Sequence, residues 1–178
     1  MVYFINFLTI SRIFLAAVIF LLLTRPEGYF LSFILFFVAG ATDYWDGYLA
    51  RKYNLTSQIG EILDPIADKI LIVFVLFGLS VNLSSYFIAF IASLIITREI
   101  WVAALRDFNA RQGRSNLTKV TFLAKIKTSI QLFTISIYLL GLSLNNMLMI
   151  LFGDMFLLLS LLITIYTGYL YTYNSLKN

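Results

Sequence analysis

Residues 43–68 read DYWDGYLARKYNLTSQIGEILDPIAD, and the spacing of the aspartates at 43, 46, 64 and 68 decides how the chain is to be read. An α-helix turns about 100° per residue, so with Asp43 at zero, Asp46 falls near −60°, Gly47 near +40° and Ala50 near −20°. Two carboxylates and two small residues therefore share one helical face. Asp64 and Asp68, four residues apart, share a face of the following helix. Two consecutive helices can thus aim four carboxylates at one volume. Left alone, such a cluster is unfavourable, because like charges repel and buried charges lose their hydration. Divalent cations relieve it. Oxygen-only ligands select a hard ion such as Mg²⁺ or Mn²⁺. Four carboxylates suit a pair of such ions, an arrangement that serves phosphoryl transfer. Gly47 and Ala50 leave room for a flat ligand to approach the backbone. Arg51 can grip a phosphate with two parallel hydrogen bonds. The competing reading is a structural ion network of these acids with Arg51, Lys52 and Lys69.

The surroundings of this stretch are greasy. Of 178 residues 61% are hydrophobic and only 12% charged, where a soluble domain is about half apolar and roughly a quarter charged. An integral membrane protein, all α-helical and forming one domain over residues 1–178, is the expectation. There is no cysteine and no histidine. Disulfides, thiolate metal sites, thiol nucleophiles and imidazole acid–base chemistry are therefore excluded. The net charge of +4 suits a neighbourhood of anionic lipid headgroups, or simply basic loops that set topology. Nucleic acid is not an expected partner. The N-terminal run MVYFINFLTISRIFLAAVIFLLL has no basic leader and no A-x-A site, and it carries Arg12. It is expected to be a retained first helix.

Six apolar stretches approach the roughly 20 residues that a span needs: near 4–23, from Tyr29 into the aspartates, Gly60 to Val81, Tyr86 to Leu105, Phe122 to Leu142, and Met147 to Tyr171. Six transmembrane helices are expected. Pro65 would then lie in the first turn if the third helix starts with a bend near Asp64, or deeper if it starts at Gly60. Basic residues crowd the connections after the second and fourth stretches, so the positive-inside rule puts both termini and those connections in the cytoplasm. The polar residues gather at the same end, more than topology alone requires.

Written out, the stretch is Asp43-x2-Asp46-Gly47-x2-Ala50-Arg51-x8-Gly60-x3-Asp64-x3-Asp68. It resembles the signature of the CDP-alcohol phosphotransferase family, with every fixed position filled. The resemblance implies a six-helix membrane fold and a homodimer. It implies that Asp43, Asp46, Asp64 and Asp68 hold two Mg²⁺ or Mn²⁺ ions, with Asp68 also the general base. It gives Asp43, Gly47, Ala50, Arg51 and Gly60 contacts to the cytidine nucleotide, and the opening Asn6-x-Leu8-Thr9-x-x-Arg12 adds Asn6 and Thr9. The implied donor is CDP-diacylglycerol, whose β-phosphorus an alcohol attacks as CMP leaves. With no histidine available, a carboxylate base is also what the residue inventory allows.

The acceptor must be chosen elsewhere. Arg98, Arg106, Lys125 and Lys127 enter the fourth and fifth helices as four cations, a suitable partner for a phosphate monoester. Their segments are similar to the R-E-x-x-V-x-x-L-R and G-K-x-K-T-x-x-Q runs of bacterial phosphatidylglycerophosphate synthases, with Ala124 in place of the usual glycine. Glycerol 3-phosphate is the acceptor this implies. Phosphatidylglycerol and inositol phosphate are the rivals within the same chemistry, and a cation transporter is the rival outside it. Arg12 is read as a neutraliser of a nearby aspartate. Pairing of Arg98 with Glu99 is not expected, since adjacent residues on a helix do not face each other. Trp101 and Tyr171 are given no catalytic role, and the last helix is read as packing.

Overall fold

A computed structural model describes residues 2–53, 58–119 and 121–177, and the side chains of residues 2–5, 50, 51, 58, 59 and 61 lie outside the described ones. Among the described residues the chain is helical, without strands: α1 (Val2–Leu22), α2 (Tyr29–Tyr53), α3 (Gln58–Asn82), α4 (Tyr86–Arg111), α5 (Phe122–Ser143) and α6 (Met147–Leu176). Short 3-10 turns follow α1 and α4. The helix starts have local causes. Ser85, Thr121 and Asn146 each accept hydrogen bonds from backbone N–H groups of the first turn they precede, meeting donors that no helical carbonyl reaches. Gly28 makes the turn between α1 and α2, where a Cβ would stand 2.2 Å from the Leu22 carbonyl oxygen.

α3 begins at Gln58, close to the earlier of the two starts the sequence left open, so Pro65 lies inside the helix rather than in its first turn. A proline there supplies no N–H to the carbonyl four residues earlier. α4 continues to Arg111, beyond the apolar stretch, because its last turns are held against α6 by polar contacts such as Asn109 to Ser175 at 2.8 Å.

Four segments are long and apolar enough to cross a membrane, Pro26–Leu49, Tyr86–Arg111, Ser115–Ser143 and Met147–Leu176. Many large apolar side chains on them face outward, Phe37, Phe90, Phe133 and Leu162 among them, as an apolar solvent favours. The chain is an integral membrane protein. α1 and α3, the other two expected spans, interrupt their apolar runs with Arg12 and with Asp64, Asp68 and Lys69.

α1 packs between α2 and α3; α3 meets α4, α4 meets α6, α6 meets α5, and α5 returns to α2 and also touches α3. Thr9, Arg12, Ala16, Ile19 and Leu23 are all fully buried, at alternating steps of three and four that make one stripe along α1. At the far end of that stripe, Asn82 donates through Nδ2 to the Leu23 carbonyl at 2.8 Å and to the Tyr29 hydroxyl at 2.7 Å. Opposite the polar end, the Tyr138 hydroxyl of α5 donates to Asp154 of α6 at 2.5 Å. Gly153 lets that ring approach, since a Cβ there would stand 2.7 Å from it. Gly40, by contrast, faces open space. Gly153→Ala is therefore expected to destabilise by about 1–3 kcal/mol through overpacking. Gly40→Ala should be neutral or gain up to about 1 kcal/mol from helix propensity. Thermal unfolding of the two variants in detergent compares them directly, and equal midpoints would refute the packing account.

Candidate active site

The antiparallel sequence of helices brings the starts of α1, α3 and α5 and the ends of α2, α4 and α6 to one end. Two charged clusters form there. In the first, Arg12 of α1 is the centre. Its Nη1 lies 2.9 Å from Asp43 Oδ1, its Nη2 donates to Asp46 Oδ2 at 2.5 Å, and Nη1 also donates to Asp68 Oδ1. One turn earlier, the buried Thr9 hydroxyl donates to Asp64 Oδ1 at 2.8 Å and lies 3.4 Å from Asp46 Oδ2. α2 and α3 thus present their aspartates to the same two residues of α1. Asp46 is buried, whereas the side chains of Asp43 and Asp68 are each 51% exposed.

The expected convergence of the four aspartates is present, and so is the expected pairing of Arg12 with a nearby acid, here with three at once. Among the described residues, no group of three or more acids has the spacing of ligands around one ion; the guanidinium stands between them. Lys52 turns away from the acids and lies over the rings of Tyr48 and Tyr53 at 5.5 and 5.7 Å. The donor set nonetheless suits a hard cation: every side chain offered is an oxygen ligand, and one guanidinium leaves three of the four negative charges uncompensated. Of the expected nucleotide contacts, Asn6 lies one turn before Thr9 on α1, Gly47 follows Asp46, and Gly60 is buried near the start of α3. The side chains of Ala50 and Arg51 lie outside the described ones.

The second cluster lies across a cavity of about 340 Å³ between α3, α4 and α5, a size within the common range for small-molecule sites. Asp68 and Lys69 line it on the α3 side, and Arg98, Glu99, Arg106 and Lys127 on the other. Glu99 accepts from Arg98 Nη1 at 2.9 Å and from Lys127 Nζ. The expectation that Arg98 and Glu99 would not pair is therefore corrected. Long side chains at adjacent positions can bend toward one another, and Glu99 here sits between two cations, Arg98 and Lys127, that it attracts alike. Arg98, Arg106 and Lys127 against Glu99 leave two positive charges on this wall, the complement of a phosphate monoester.

Lys125 is not brought to this cavity. It is exposed and lines a separate shallow groove with Phe122, Ser129 and Phe133. Two residues along a helix is about 200° of rotation, so Lys125 and Lys127 face opposite ways. Two cavity residues, Glu99 and Gln131, stand in the runs quoted from the sequence but were given no site role there. Glu99 carried one readable signal, an acid within an apolar run, which needs a partner. Gln131, one turn beyond Lys127 on the same face, lines the cavity with its Nε2 buried and unpartnered among the described residues.

One cavity thus reaches from Asp68 to these cations, and the stretch that matches a known family covers both clusters. The match is to the family described as CDP-alcohol phosphatidyltransferase, over residues 3–166, and the chain belongs to that family. Over 169 residues it is 41% identical to the CDP-diacylglycerol–glycerol-3-phosphate 3-phosphatidyltransferase of Rickettsia bellii strain RML369-C, covering 93% of this chain and 91% of the relative. The protein of the same description from Rickettsia typhi is 39% identical over 169 residues, 93% of each chain. That of Wigglesworthia glossinidia brevipalpis is 42% identical over 106 residues, 60% of this chain and 58% of the relative.

Removing Arg12 leaves buried negative charge without its counterion. Arg12→Leu in chelator-treated detergent solution is expected to cost about 3–5 kcal/mol, the usual size when one partner of a buried pair is deleted. A thermal unfolding midpoint within error of the unsubstituted protein would show that the guanidinium does not hold the acids together.

Proposed function

We propose that the chain transfers the phosphatidyl group of CDP-diacylglycerol to the sn-1 hydroxyl of glycerol 3-phosphate, giving phosphatidylglycerol phosphate and CMP. The observation that carries this reading is the single cavity with Asp68 on one wall and Arg98, Arg106 and Lys127 on the other. An acceptor whose phosphate meets the three cations can extend its far hydroxyl toward Asp68. The relatives' names point to the same donor and acceptor.

In this reading the nucleotide end of the donor lies by Asn6, Thr9, Asp43, Gly47, Ala50, Arg51 and Gly60. Asp68 accepts the proton of the attacking hydroxyl. The alkoxide oxygen forms a bond to the β-phosphorus. The bond from that phosphorus to the bridging oxygen breaks, and the oxygen leaves with the electron pair as part of CMP. Arg98, Arg106 and Lys127 retain the acceptor by its phosphate throughout, which fixes the hydroxyl near the base. Lys125, facing elsewhere, is left out of this set. Asp43, Asp46, Asp64 and Asp68 would hold Mg²⁺ or Mn²⁺, which when bound neutralises charge on the diphosphate. The apolar outer surface gives the diacyl tails access from the lipid, with all six helices spanning and the charged end at the cytoplasmic face.

The test is CMP release by the purified full-length chain in detergent micelles containing CDP-diacylglycerol. Release should require glycerol 3-phosphate and a divalent cation, stop on chelation, and resume when Mg²⁺ or Mn²⁺ is restored. Equal turnover with inositol phosphate or phosphatidylglycerol would overturn the acceptor assignment, and turnover in excess chelator the metal assignment. Asp68→Asn should lower kcat by about 10²- to 10⁴-fold, the usual worth of a general base; near-normal kcat would remove Asp68 from that role.

A further inference from the structure

The wall of the cavity that carries Arg98 and Arg106 is backed by α6, the helix with no recognisable pattern. Four contacts converge on these two guanidinium groups from one face of that helix. Arg98 Nη2 donates to Thr167 Oγ1 at 2.6 Å. The Thr167 hydroxyl spends its own hydrogen on the carbonyls of Ile163 and Thr164, at 2.8 and 3.0 Å. It therefore offers Arg98 a lone pair in a fixed direction. Gly168 removes the obstacle beside it: a Cβ there would stand 3.0 Å from Arg98 Cγ and 3.2 Å from Nε. The ring of Tyr171, one turn on from Thr167, lies under both cations, 5.9 Å from the Arg98 guanidinium carbon and 5.6 Å from that of Arg106. Its hydroxyl donates to the Lys119 carbonyl and accepts from the Thr121 N–H, each at 3.2 Å, tying the entry of α5 to the same ring. Tyr171 and Thr167 are almost completely buried.

This is more than helix packing demands. An arginine anchored only by Glu99 could swing with that flexible acid. Here three side-chain partners and a missing Cβ restrict it, while the aromatic ring of Tyr171 attracts both cations. We propose that Thr167, Gly168 and Tyr171 of α6 are positioning residues that set Arg98 and Arg106 for the acceptor's phosphate, and so determine selection of a phosphorylated acceptor. The inference rests on the acceptor reading above and extends it to a helix that touches neither substrate.

Initial-rate kinetics of the full-length enzyme with its metal in CDP-diacylglycerol micelles test it. Thr167→Val, nearly isosteric but without the acceptor oxygen, should raise the KM for glycerol 3-phosphate by about 10-fold or more, the cost of a misplaced positioning group. The KM for CDP-diacylglycerol should stay within about twofold, outside the reach of these contacts. Thr167→Ser, which keeps the hydroxyl, should restore the KM. Tyr171→Leu should also raise it and should shrink the preference for glycerol 3-phosphate over glycerol, with Tyr171→Phe less affected because the ring remains. An unchanged KM for glycerol 3-phosphate, or a parallel loss in both KM values with no rescue by serine, overturns the positioning role. If the unsubstituted enzyme uses glycerol as readily as glycerol 3-phosphate, the acceptor reading itself fails, a result visible before any variant is made.

Discussion

The buried guanidinium of Arg12 is the interaction on which the polar end depends. It reaches Asp43 and Asp46 of α2 and Asp68 of α3 from a helix wedged between them. Remove the positive charge and the two acid-bearing helices would repel one another, most strongly at the buried Asp46. Thr9 adds the remaining aspartate through a single hydroxyl. The stripe that continues through Ala16, Ile19 and Leu23 supplies apolar burial along the same line, so the packing of α1 and the assembly of the acids are one event.

The second cluster follows a different rule. At the first, acids outnumber the cation that serves them; at the second, cations outnumber Glu99. Asp68 is the one member of the acid cluster that reaches the cavity, on the wall across from Arg98, Arg106 and Lys127. A molecule with a negative phosphate at one end and a hydroxyl at the other is held by the cations with its hydroxyl free to reach that carboxylate. Between them the walls are largely apolar, from Ile72, Val73, Leu76 and Ile95, which lowers the local dielectric and strengthens both ends.

Much of this was legible in the chain itself. The six helices follow the apolar stretches closely, since a run of about 20 mainly apolar residues has few alternatives. The convergence of the aspartates followed from spacings of three and four. What the sequence could not show was where side chains point between helices. Lys125 and Lys127 look equivalent when written in a line, but only one faces the cavity. Glu99 pairs both with its neighbour Arg98 and with Lys127, a residue of another helix. Pro65 left the start of α3 open because the local pattern does not say whether a proline is tolerated inside a helix. Tyr171 and Thr167 gave no sign at all, being ordinary residues of an apolar helix until α4 is laid against them.

The central place of α1 has a consequence for how the chain can be assembled. Arg12 finds its partners 34 and 56 residues later, in Asp46 and Asp68. Until those are made, α1 holds an uncompensated charge in an apolar helix, a burden of about 2.5–3.5 kcal/mol on insertion scales. α1 is thus made before the residues that compensate it, and its residence among lipids is provisional until α2 and α3 follow and bring their aspartates around Arg12.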